Sequence, residues 1–298
     1  MKNDRAAGGR PRLQRYWDLR AACNFIGGGT GTGLVIAAAV LAATNQPFAA
    51  PLVTGLIFVA LGLAAVLMEI GRPWRALNVF FHPQTSWMTR EGVMALPLFG
   101  LGAAALLLAW LGGYAGADRA LAVLAGLTAC GFLYCQARIL RAAKGIPAWR
   151  DAALTPFILL TGLSEGTGVL VLLAAFGLAP RAAYAAALLL CLLRLVAWQR
   201  YRAGLARNAA PEASRQALDG IGFAFIGLGH VLLALFLIAA LAWPPIAAVA
   251  LIGGALLTLA GWLAKAVLIT RAAATRGLAI PRTPVRGRGT SRAVAGTR

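Results

Sequence analysis

Charge is scarce in this sequence, and most of what there is has one sign. Only 12% of the 298 residues are charged, with nine acidic side chains against 28 lysines and arginines, while 60% are hydrophobic. With a mean hydropathy of +0.76 there is too little polar surface for a water-soluble domain of this length, so the chain reads as an integral membrane protein. Histidine is scarcer still: there are two, His82 and His230. A bis-histidine haem needs two histidines on facing helices, and His82 falls in a loop, which excludes that arrangement. The four cysteines, Cys23, Cys130, Cys135 and Cys191, form no Cys-x-x-Cys pair and lie in or beside apolar runs. They read as small buried hydrophobes and point to neither an iron–sulfur cluster nor a zinc site, so no haem and no metal is expected in this chain. The glycine run from Gly27 to Gly33 lacks a Gly-Lys-Ser/Thr ending and follows no strand, which rules out a phosphate loop. A basic segment precedes the first apolar run, and that run is long enough to span; no cleavable signal is read, and the first span is expected to be retained.

What is present is a series of eight apolar runs, each near the ~20 residues needed to cross a bilayer. They cover about residues 24–43, 50–70, 93–111, 119–140, 154–178, 182–201 and 220–241, with an eighth ending near Ile269. The basic residues collect at the N-terminus, in the 2–3, 4–5 and 6–7 loops and at the C-terminus, whereas the other turns carry only Arg119 and Arg181. The net charge of +19 is therefore a positive-inside signature rather than a nucleic-acid footprint, and both termini are predicted cytoplasmic. Thr32-Gly33-Leu34-Val35 in the first span is echoed by Thr167-Gly168-Val169-Leu170 in the fifth. The echo predicts an all-α protein with eight transmembrane helices in two four-helix bundles, 23–140 and 141–270. A basic N-terminus (1–22) precedes them, and a disordered basic tail (271–298) follows.

Few polar groups interrupt the apolar runs. The most conspicuous stretch runs from Met68 to Gly92, where Glu69 ends the second span, Gly71 and Pro73 break the helix, and Arg72 and Arg75 follow. A carboxylate at a membrane helix end beside two guanidiniums is a candidate for proton or electron chemistry, or it simply closes a salt bridge. Glu165 falls near the middle of the fifth span, where an ionised carboxylate costs at least ~2.5–3.5 kcal/mol. His230 falls at similar depth in the seventh, within hydrogen-bonding range of Glu165 if the two helices share an interior. Arg194 is expected to snorkel or to pair with an acid, and Lys265 to snorkel from its helix end. The glycine run of the first span suits either close helix packing or contact with a flat ligand. If the protein handles electrons, a quinol fits these features: a flat apolar slot, hydrogen-bond partners for its oxygens and a proton acceptor.

The stretch Glu69-Ile70-Gly71-Arg72-Pro73-Trp74-Arg75-Ala76-Leu77-Asn78, continued by Ser86-Trp87-Met88-Thr89-Arg90-Glu91, resembles the membrane anchors of molybdopterin oxidoreductases, the NrfD, polysulfide reductase and DMSO reductase anchor superfamily. Ile146-Pro147-Ala148-Trp149 with Thr155-Pro156-Phe157, and Ala260-Gly261-Trp262-Leu263-Ala264-Lys265, extend the likeness over about residues 20–270. The pattern looks most like the DMSO reductase anchor branch, although that branch has a histidine where Glu69 stands. The segment Trp17 to Gly33 is similar to the membrane subunit linked to phenylacetyl-CoA:acceptor oxidoreductase. The resemblance implies a bacterial inner-membrane subunit that exchanges electrons with menaquinone or ubiquinone. Its partners would be an iron–sulfur (ferredoxin-like) subunit and a molybdopterin catalytic subunit. In that reading Glu69 and Asn24 handle the quinol, Arg72 and Arg75 hold the carboxylate or meet the partner, and Glu165 and His230 form a deeper polar site. The competing reading is a proton-coupled secondary transporter using Glu165 and His230.

Overall fold

The computed structural model describes residues 11–68, 73–112, 114, 116–208, 210–242 and 247–275, and of 73–76 the backbone alone. Among these residues eight helical segments are long and apolar enough to cross a membrane. They are α1 (Leu19–Ala43), α2 (Ala49–Leu67), α3 (Trp87–Leu111), α4 (Ala117–Ala142), α6 (Leu154–Ala175), α7 (Ala182–Arg207), the composite segment Glu212–Ala242 and α10 (Ala247–Thr270). The composite segment joins α8 (Glu212–Asp219), a π-helical stretch Phe223–Leu232 and α9 (Leu233–Ala242). A 3-10 stretch, Pro73–Phe81, and the single turn α5 (Pro147–Arg150) lie in the 2–3 and 4–5 loops.

Helix α1 is the axis. Its apolar window is 78% buried, against 22% for α3, and it packs on α2, α4, α6 and α10. The glycine run makes this crowding possible. A Cβ on Gly31 would stand 2.5 Å from Gly55 O of α2, and one on Gly33 would stand 2.1 Å from Gly162 O of α6. Backbone meets backbone at these points, as membrane helices do where small residues align. Gly33→Val would drive a branched side chain into a carbonyl that cannot move. It is expected to cost about 1–3 kcal/mol or more of overpacking, read as loss of the monodisperse peak when a fluorescent fusion is chromatographed in detergent.

The echoed segments lie against each other: Gly166 of α6 faces Gly33 and Leu34 of α1. Their outer glycines meet different partners, Gly31 facing α2 and Gly168 facing Gly254 and Thr258 of α10.

Aliphatic and aromatic side chains form two apolar clusters. One holds Leu34, Leu52, Leu98, Phe132, Val171, Tyr184 and Leu237. The other holds Phe25, Ile139, Trp149, Phe157, Trp198, Tyr201 and Phe225, toward the chain termini. On α1, α4, α6, α7 and the composite segment, a polar residue marks the crossing from one cluster to the other: Thr30, Gln136, Glu165, Arg194 and His230, all buried. The protein thus carries a polar layer inside the bundle.

Several boundaries differ from the sequence reading, α7 running on to Arg207 and the seventh span starting at Glu212 among them. Helix α3 begins at Trp87 rather than near residue 93, because Ser86 caps it by accepting from Thr89 N–H at 3.2 Å. Trp87 anchors that turn under the guanidiniums of Arg90 and Arg138, 4.2 and 4.6 Å from its ring centre. Helix α1 starts at Leu19, where Asp18 accepts from Arg20 N–H; hydrogen bonding to the Arg20 side chain holds the Asp18 carboxyl below its ordinary value. Finally, Ala272–Ala274, which fall in the expected tail, are buried, and residues 273–275 pair with residues 12–14. Residues 243–246, between the seventh and eighth spans, and the tail beyond Thr275 lie outside the described residues.

Candidate functional site

The polar layer contains three separate groups. The first opens near the terminal end of the bundle. The start of α3 places Glu91 beside Asn24 of α1, and both are buried. Asn24 Nδ2 donates to Glu91 Oε1 at 3.5 Å, and Gln136 Nε2 of α4 donates to Asn24 O at 3.0 Å. Room for Gln136 comes from Gly28, where a Cβ would stand 2.2 Å from its amide nitrogen. Asn24 and Glu91 line a cleft of about 260 Å³, otherwise walled by Trp17, Ala21, Phe25, Val66, Met88 and Ile139. Trp17 and Phe25 stack with ring centres 5.8 Å apart. Among the described residues two buried acceptors, Asn24 Oδ1 and Gln136 Oε1, have no donor. The pocket is therefore mostly apolar, with an aromatic face, a carboxyl and one acceptor, Asn24 Oδ1, in want of an O–H or N–H group.

The second group ties α1, α6 and α10 together. Lys265 Nζ lies 2.6 Å from Glu165 Oε2, and both side chains are wholly buried. Thr30 Oγ1 donates to the same oxygen at 3.0 Å and in turn accepts from Trp262 Nε1 at 2.9 Å. The ammonium also donates to Phe25 O at 2.8 Å. Two glycines open the space: a Cβ on Gly29 would stand 2.1 Å from Lys265 Nζ, and one on Gly261 2.5 Å from Glu165 Oε1. That Oε1 has no hydrogen-bond partner among the described residues.

The third group fastens the π-helical stretch. Arg194 Nε donates to His230 Nε2 at 3.2 Å, Nη2 to Gly229 O at 2.9 Å and Nη1 to Leu257 O at 2.8 Å. His230 Nδ1 lies 2.6 Å from Phe225 O. A guanidinium cannot accept and a carbonyl cannot donate, so Nδ1 carries the proton and Nε2 accepts. Both ring nitrogens are occupied by this scaffold.

The structure therefore redistributes the expected residues. Glu165 and His230 do not bond each other; each has its own basic partner. Lys265 does not snorkel, because Gly29 leaves it a hole in the core and Phe25 O and Glu165 fill its donors. Arg194 pairs with a histidine and two carbonyls rather than with an acid or the interface. Asn24 lies in the cleft, but beside Glu91, which the sequence reading left in a loop. Glu69 and Arg72, and the side chain of Arg75, lie outside the described residues. Ile146-Pro147-Ala148-Trp149 proves to be a lock: Trp149 Nε1 donates to Leu268 O at 3.0 Å and Tyr201 Oη to Ala148 O at 2.9 Å, fixing the 4–5 loop to α10 and α7. Among the described residues no group of three or more His, Cys, Asp or Glu comes together.

No curated protein matches the chain. The sequence model of the family described as Polysulphide reductase, NrfD, matches residues 11–276, all eight spans included. A multi-pass helical bundle matched over nearly its whole length belongs to the NrfD family, whose members are inner-membrane subunits of bacterial oxidoreductase complexes that interact with quinones.

Proposed function

We propose that this chain is the quinone-reactive anchor of a molybdopterin and iron–sulfur oxidoreductase complex, passing electrons between the quinone pool and an iron–sulfur subunit. The observation that carries this reading is the cleft where a buried carboxyl and an amide whose oxygen has no donor among the described residues meet beside a stacked aromatic pair. Its volume of about 260 Å³ suits a single ring with its isoprenoid tail left in the lipid. A quinol supplies a two-electron, two-proton couple, and its O–H groups are the donors that Asn24 Oδ1 lacks. The chain's own residues do the rest. Trp17 and Phe25 hold the ring plane, Asn24 Nδ2 keeps the Glu91 carboxyl in place, and Glu91 takes or returns a proton at its oxygens. Glu69, three positions after the cleft residue Val66 in the sequence, is kept as a second proton-handling candidate with Arg72 and Arg75 beside it.

The iron–sulfur subunit would dock on the face carrying both termini and the basic loops, taken as cytoplasmic from the charge distribution. The DMSO reductase branch and the phenylacetyl-CoA-linked complex are the narrower readings favoured by the motifs quoted above. The transporter reading loses its premise, since Glu165 and His230 do not form one site. A photoreactive quinone added to membranes holding the intact complex is expected to label the peptides containing Trp17–Phe25 and Met88–Glu91. Label found instead on the α1–α6–α7 crevice, around Leu163 and Leu190, would move the site to the other end of the bundle.

A further inference from the structure

A second, more polar groove shares Trp17 with the cleft but opens between the two chain termini. Residues 12–14 run antiparallel to 273–275, with Gln14 N–H donating to Ala273 O at 3.0 Å and Thr275 N–H to Arg12 O at 2.8 Å. The Gln14 side chain fixes the turn that follows. Its Oε1 accepts from the N–H groups of Tyr16 and Trp17, and its Nε2 donates to Trp17 O at 2.7 Å and to Ile269 O at 3.1 Å. A basic segment that sequence alone would leave loose is thus pinned against the 4–5 connection.

Between them lies a cavity of about 520 Å³ with Arg12, Arg15 and Tyr16 on one side and Trp149 on the other. The Trp17 and Trp149 rings, 5.0 Å apart, form an aromatic wall. Among the described residues no acidic side chain lines the cavity, and neither Arg12 nor Arg15 has an ion-pair partner. The groove is level with the start of α1 and the ends of α4 and α10, which is headgroup depth for helices of this length. Exposed apolar side chains, Leu13 and Leu19, flank it in sequence.

We propose that this groove binds the phosphate headgroup of an anionic phospholipid, with Arg12 and Arg15 as the charged donors and the tyrosine and tryptophans beside the glycerol. An occupant here meets two exposed guanidiniums that have no ion-pair partner among the described residues, and it also covers aromatic and aliphatic surface at the bilayer edge. A lipid does both, whereas a free anion uses only the first. The inference rests on the membrane placement of the helices and is independent of the quinone reading.

The test is native mass spectrometry of the full-length chain, delipidated in mild detergent and titrated with phosphatidylglycerol, cardiolipin, phosphatidylcholine or inorganic phosphate. The anionic lipids are expected to be retained, and Arg12→Gln with Arg15→Gln to weaken retention by about tenfold or more. Arg200→Gln with Arg207→Gln, which removes the same charge from the exposed end of α7, is expected to leave retention unchanged. Equal retention in the Arg12/Arg15 variant, or of phosphatidylcholine, overturns the proposal. So does displacement of the lipid by inorganic phosphate, which would identify a free anion as the occupant. Absence of the lipid from the co-purified complex would assign the groove to a protein partner and equally overturn it.

Discussion

Glu91→Gln is expected to lower quinone-linked turnover of the assembled complex by about 10²-fold or more, the range over which a positioned proton-transfer group contributes. Glutamine keeps the length of the side chain and an acceptor for Asn24 Nδ2, so the cleft and the start of α3 should survive. What it removes is the ability to carry a proton. The loss should fall on kcat, with KM for the quinol little changed, because the aromatic face made by Trp17 and Phe25 remains. Glu91→Asp retracts the carboxyl but keeps its chemistry, and partial recovery is expected. The measurement is oxidation or reduction of a short-chain quinol analogue by membranes in which gel analysis shows the complex intact. Turnover of Glu91→Gln within a few-fold of the parent would remove Glu91 from the mechanism. The parallel variant Glu69→Gln decides between the two carboxyls: a large drop there with a normal Glu91→Gln would assign the proton-handling role to Glu69. Neither outcome depends on which branch of the family supplies the catalytic partner.

The eight spans were legible because length and hydropathy alone define what can cross a bilayer. Glu165 was legible as well, since a mid-helix carboxylate stands out through its desolvation cost without any knowledge of its partner. Glu91 was not. Thr89, Arg90 and Glu91 look like loop until Ser86 is recognised as a cap and Trp87 as an anchor under two arginines. Those features start α3 early enough to swing the acid inward. Lys265, five positions from the end of α10, has the look of a snorkelling residue. Its burial depends on a hole left by Gly29 of α1, a contact across 236 positions that no local pattern records. The same holds for the pairing of Arg194 with His230, which joins α7 to a π-helical stretch with no proline to announce it. The glycine run was ambiguous between packing and ligand contact. In the structure Gly31 and Gly33 serve helix packing, while Gly28 and Gly29 make room for buried polar side chains.

Lys265→Met is expected to destabilise the bundle by about 3–5 kcal/mol, the usual cost of stranding one member of a buried ion pair. Glu165 would keep only Thr30 as a donor, with its other oxygen already unpartnered. Glu165→Met should cost a similar amount, leaving an ammonium with Phe25 O as its sole acceptor. The double variant removes both charges and fills the space with side chains of similar volume. It should therefore recover most of the loss, since replacing a buried pair outright is often close to neutral. Thermal denaturation of the detergent-solubilised protein reads the three variants, and a double variant as unstable as either single one would show that packing, not charge pairing, holds the α1–α6–α10 joint. Turnover of the double variant then separates structure from chemistry. If stability and turnover both return, the pair is a clamp between the helices and the Glu91 cleft handles protons without it. If stability returns and turnover does not, the Glu165–Lys265 pair takes part in the reaction. That result would be consistent with the geometry, because Asn24 and Phe25 are consecutive on α1 and connect the two polar groups: Gln136 donates to the carbonyl of one and Lys265 to the carbonyl of the other.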